Sequence, residues 1–100
     1  MKTLDFKTLS PMFEMERDDL KFFTTRKVDP KDKRFRELSR WRPKSKWAIR
    51  ITNPATGESF VREIHSVCYL GYHDLTEDIY QRRLKFYYDW KMIIMGKRLL

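Results

Sequence analysis

The sequence predicts an α+β domain: a mostly antiparallel sheet with a short N-terminal helix and a long C-terminal helix. Three observations predict it. Runs rich in β-branched and aromatic residues stand at 22–28, 46–52 and 58–70. Asn53-Pro54-Ala55-Thr56-Gly57 joins the last two as a turn, which makes them a hairpin. Helix-start signals at Ser10-Pro11 and at Asp74-Leu75-Thr76-Glu77 lie outside these runs, so helices and strands are segregated rather than alternating.

The elements follow in order. Lys2 to Lys7 alternates weakly and reads as a short first strand. Ser10 offers a cap to the free N–H groups of a helix, and Pro11 fits its first position. The helix runs from about 11 to 20, with Met12, Met15 and Leu20 as its apolar stripe. Glu14, Glu16, Arg17, Asp18 and Asp19 occupy its other faces, the acids suiting the helix dipole. The strand at 22–28 puts Phe22, Thr24 and Arg26 on one face and Phe23, Thr25 and Lys27 on the other. Asp29-Pro30 opens either a short helix carrying Phe35 and Leu38 or an irregular loop. In the 46–52 strand Trp47, Ile49 and Ile51 point one way, and Lys46, Arg50 and Thr52 the other. The 58–70 strand is long, and its pattern shifts near Ile64, as at a bend or bulge. Beyond Gly71, the capping-box spacing of Asp74 and Glu77 predicts a helix from about 75 to 95, stopped at Gly96. Ile79, Phe86, Trp90 and Ile93 fall near one of its faces, and any apolar surface left over marks a dimer or partner surface.

One hundred residues suit a single domain spanning 1–100. A hydrophobic fraction of 41% with 15% aromatics is enough for a folded core, and the 36% of charged residues demand a densely charged surface. The net charge is +8. The excess is local: Lys31, Lys33, Arg34, Arg36, Arg40, Arg42, Lys44, Lys46 and Arg50 face only Asp32 and Glu37 in the same stretch. Such a patch attracts polyanions, nucleic acid first, through phosphate contacts and counterion release. An acidic protein partner is served by the same charge. Cys68 is the single cysteine, which excludes an intramolecular disulfide and fits a cytoplasmic setting. Asp5 and Lys7 break the apolar start, so the N-terminus does not read as a signal peptide, and no apolar run approaches the ~20 residues of a membrane span.

Four groups of residues bear on chemistry. Trp41 sits among cations, in Arg40-Trp41-Arg42, and is a candidate to stack on an unpaired base or, equally, to close the core edge. His65, Cys68 and His73 do not make a metal site, because 65 and 68 face opposite sides of a strand and no further cysteine exists. Neither metal nor cofactor is called for. The apolar residues of the terminal helix pack as core. The fourth group is Lys21-Phe22-Phe23-Thr24-Thr25-Arg26, where a lysine at a strand entrance and a threonine three positions on stand close in space.

That stretch, K-x-x-T-x-R after a short acidic helix and before a hairpin, resembles the ASCH family of PUA-like β-barrels. The resemblance implies a small PUA-like β-barrel with RNA-related function. Some small members are amidohydrolases that remove the acetyl group from N4-acetylcytidine. By motif, Lys21 matches the family's catalytic Lys, Thr24 its Thr and Arg26 its Arg. The family's catalytic Glu lies near the end of the sheet, and Glu63, in the second hairpin strand, is the candidate; Glu77 reads as a helix cap.

The leading expectation is a basic domain that binds RNA or single-stranded nucleic acid through Arg26, Lys27, Arg34, Arg36, Arg40, Trp41, Arg42, Lys44, Lys46 and Arg50. The alternative is an amidohydrolase acting on an acylated nucleoside, with Lys21 as base or nucleophile, Thr24 as an activated hydroxyl or positioning group and Glu63 as the candidate proton carrier. A third reading is an interaction module for an acidic protein.

Overall fold

A computed structural model describes residues 1–29, 31–70 and 90–100. The elements are β1 (Lys2–Lys7), α1 (Met12–Arg17), β2 (Phe23–Lys27), α2 (Lys33–Leu38), β3 (Trp47–Thr52), β4 (Ser59–Leu70) and β5 (Trp90–Arg98). The five strands form one sheet in the order β1-β3-β4-β5-β2, curved into a half-barrel. β1 runs parallel to β3, and every other pairing is antiparallel.

The long C-terminal helix is overturned. Residues 90 to 95, expected as its last six, are strand, and Gly96 lies inside β5 rather than ending a helix. The rest of that expected helix, with its Asp74–Glu77 cap, lies outside the described residues. The helical dimer surface is withdrawn with it. The reason is tertiary. Trp90–Arg98 is a short apolar run whose spacing suits either period. Its burial alternates, with Lys91, Ile93 and Met95 inside, and it supplies the ladder that both β2 and the second half of β4 require.

The hairpin of β3 and β4 forms as expected, with Gly57 at φ 78° supplying the left-handed turn residue. The pattern shift near Ile64 is a pair of register irregularities against β5, between Arg62 and Ile64 and between Ile64 and Ser66. Both helices have six residues. α1 is therefore too short for its apolar stripe to be read from periodicity. Met12 and Leu20 are exposed, while Phe13 and Glu16 are buried. Ser10 does not cap α1; its hydroxyl donates to the Glu14 carboxylate and accepts from Asn53 Nδ2 at 3.0 Å. α2 is capped by Asp32, not Asp29: the Asp32 carboxylate accepts from the Arg34 N–H at 2.9 Å.

The core gathers Leu4, Phe6, Phe13, Phe35, Leu38, Trp41, Ile49, Ile51, Phe60, Ile64, Ile93 and Met95. Phe13 packs on Phe60 with ring centroids 5.3 Å apart, and Phe35 meets Phe6 edge-on at 6.1 Å. The helices thus each commit a phenylalanine to the sheet. No described helix is long and apolar enough to cross a membrane.

Candidate functional site

The two outer strands of the sheet, β1 and β2, leave a trough between them, and Arg26 spans it. Its side chain leaves β2 and donates from Nη1 to the Lys7 carbonyl and from Nη2 to Thr8 Oγ1, while Nε donates to Thr24 Oγ1 at 3.1 Å. Arg34 does the equivalent from α2, donating to the Asp5 carbonyl. Carbonyls two residues apart on a strand face the same way, so Asp5 and Lys7 present the free edge of β1 and the two guanidiniums satisfy it. Both lie over the Phe6 ring, Arg26 at 5.1 Å and Arg34 at 4.3 Å from its centroid. Burial pushes the Arg26 guanidinium below its ordinary pKa; Arg34 is pushed up by its bond to Asp32.

Arg26 lines two clefts. The larger, about 740 Å³, is bordered by Asp5, Phe6, Lys7, Lys27, Asp29, Asp32, Arg34, Phe35 and Thr52. Its charge is mixed. Asp32 is engaged by Arg34, and Asp5 pairs with Arg50 at 3.2 Å. The smaller, about 490 Å³, lies between α1 and β2 and is bordered by Lys7, Thr8, Leu9, Ser10, Met12, Glu16, Lys21, Thr24 and Thr25.

The smaller cleft brings together Lys21, Thr24 and Arg26 of the K-x-x-T-x-R stretch. Thr24 is buried at the base of β2. Lys21 Nζ lies 3.2 Å from Glu16 Oε2, 3.9 Å from Met12 Sδ and 5.2 Å from the Phe23 ring centroid. Glu63 is not part of this group: it is exposed on β4 and lines neither cleft. The acid that does join the group is Glu16, 1% exposed, with no hydrogen-bond partner on Oε1 among the described residues. Sequence reasoning assigned Glu16 to a solvated helix face. The available signal was its distance from Lys21, five positions across a helix end, which lets the two side chains meet.

Arg62 and Lys91 were also missed. Arg62, 3% exposed on β4, donates to the Arg17 carbonyl at 2.6 Å and the Gly96 carbonyl at 3.2 Å, and pairs with Asp19 at 2.8 Å. It fastens the turn that carries Lys21, a turn in which Asp19 adopts φ 65°. Lys91, opposite Arg26 in the β2–β5 ladder, is 4% exposed and donates to the Phe35 carbonyl at 3.3 Å; burial pushes its pKa down.

Of the expected nucleic-acid contacts, Lys27, Arg36, Arg40, Arg42, Lys44, Lys46 and Arg50 are exposed. Arg42 folds back onto the Ser39 and Trp41 carbonyls. Of the two readings of Trp41, the structure takes the core edge: at 9% exposure the residue belongs to the core cluster and is not presented for stacking. Among the described residues, no three His, Cys, Asp or Glu side chains converge as metal ligands would. No protein-family model, curated protein or solved structure matches this chain.

Proposed function

We propose that this domain binds single-stranded nucleic acid, RNA in preference to DNA, in a cytosolic setting. One observation carries the reading. Arg26, Lys7, Lys27 and Arg34 border the trough between β1 and β2, and the exposed cations Arg36 and Arg40 continue from α2, the element that carries Arg34. Phosphates would lie on the exposed cations, and unstacked bases would reach the clefts. The test is fluorescence anisotropy with short single-stranded RNA across a salt series. Binding is expected to weaken with salt, and the triple variant R36A/R40A/R42A to weaken it further with a shallower salt slope. Unchanged affinity in that variant removes the patch from the reading. Capture of an acidic protein from nuclease-treated lysate, with no RNA affinity, replaces it.

A second reading is favoured by the convergence of Lys21, Thr24 and Arg26 on one cleft with the buried Glu16. In an amidohydrolase for an acylated nucleoside, Glu16 would take the acid's place, Lys21 would move the proton and Thr24 would position the acyl group. Incubation with N4-acetylcytidine, with K21A as control, tests it: release of acetate by the parent protein alone supports it, and no release excludes it.

A further inference from the structure

The cleft between α1 and β2 holds a feature that neither phosphate binding nor packing uses. The Glu16 carboxylate is enclosed, one oxygen is held by Lys21 at 3.2 Å, and no donor among the described residues reaches the other. An enclosed carboxylate oxygen without a donor is costly, and a polar ligand N–H is the group that relieves it. Beside it stands an ammonium donor that is only partly covered. An acceptor next to a donor, at the wall of a cleft of about 490 Å³, is complementary to a donor next to an acceptor. The exposed Leu9 and Met12 give the mouth of the cleft an apolar rim suited to a flat ring.

We infer that this cleft takes one unstacked base bearing a ring N–H beside a carbonyl, uracil or guanine, with Glu16 accepting from the ring N–H and Lys21 donating to the carbonyl. The inference rests on the nucleic-acid reading and adds a base preference to it. Cytosine and adenine put a ring-nitrogen lone pair where uracil and guanine carry the N–H. In that register the lone pair faces a carboxylate oxygen and weakens binding; the donor beside an acceptor that these two bases do carry, an exocyclic N–H next to the ring nitrogen, meets Glu16 and Lys21 only after the base shifts by one position. Arg26, on the far side of Thr24, is placed for the sugar or phosphate of the same nucleotide.

The experiment compares anisotropy of oligouridylate, the same oligomer methylated at N3 of every base, and oligocytidylate, at one salt concentration. The parent protein is expected to bind oligouridylate about tenfold more tightly than the other two, the discrimination a single hydrogen-bonded pair supplies. E16Q, checked for a cooperative melt, is expected to bind all three alike. R36A/R40A/R42A is expected to weaken all three while keeping the preference. Equal binding of the three oligomers by the parent protein overturns the inference and leaves the nucleic-acid reading standing. Absence of salt-sensitive binding to any of them overturns both. The methylated oligomer tests the N–H contact even if E16Q fails to fold, because the change is in the ligand.

Discussion

Replacing Arg62 with methionine measures how firmly the Lys21 turn is fastened. Methionine keeps an unbranched apolar stem beside Phe60 and deletes the guanidinium. The Arg17 and Gly96 carbonyls each lose a charged donor. A bond of that kind contributes roughly 1.5–3 kcal/mol net. Two opposing effects reduce the loss: a cation no longer has to leave water, and the buried Nε, which has no acceptor, disappears. The Asp19 partner is 73% exposed and contributes less than about 1 kcal/mol. The balance is a destabilisation of about 2 kcal/mol, which lowers a urea midpoint by about 1 M for a domain of this size. Equilibrium urea melts followed by circular dichroism read it directly. A variant within about 0.5 kcal/mol of the parent refutes the reasoning, because it means desolvation cancels both carbonyl bonds.

Asp19 separates backbone strain from the ion pair: D19A keeps a Cβ at φ 65° and is expected to lose about 1 kcal/mol, while D19G is expected to fall within about 0.5 kcal/mol of the parent in the same melts. Acid stability follows from Asp32, whose carboxyl is held below its ordinary pKa by its bonds to Arg34. A depressed carboxylate contributes stability above its unfolded pKa, and that contribution is lost as pH falls through its folded one. Urea midpoints are therefore expected to drop below about pH 4, and to drop less in D32N. The double variant R26A/R34A uncovers the Asp5 and Lys7 carbonyls at the sheet edge, and is expected to self-associate in a concentration-dependent way by size-exclusion chromatography, with each single variant less affected.

Legibility in the sequence tracked the length and isolation of each signal. The β3–β4 hairpin was plain because alternation, turn residues and β-branched content agreed over a continuous stretch. β2 was readable from Phe23, Thr24 and Thr25, and the motif residues Lys21, Thr24 and Arg26 border one cleft. The helix expected at 75–95 failed at residues 90–95 because Ile93, Ile94 and Met95 fit both periods, and the deciding fact, that β2 and β4 need a strand between them, is a tertiary one. Glu16 was misplaced, and Trp41 left open between stacking and the core edge, for a related reason: in a six-residue helix and an irregular loop there is too little period to separate inside from outside. The K-x-x-T-x-R stretch pointed to a lysine and a threonine, while the buried acid beside that lysine comes from the preceding helix, where no local pattern marks a carboxylate as buried.

The placement of β5 sets a schedule for the chain. Among the described residues β2 ladders with no other strand, and its Phe23 must wait for Ile94. The aromatic stretch Phe22-Phe23 therefore emerges from the ribosome long before its neighbour exists, and the sheet closes only when the Trp90–Arg98 segment has been made. Non-local pairing of this kind favours slow, all-at-once assembly over stepwise growth. A nascent chain halted before residue 90 would hold a finished β3–β4 hairpin beside an unshielded, sticky β2, a natural client for a holdase chaperone.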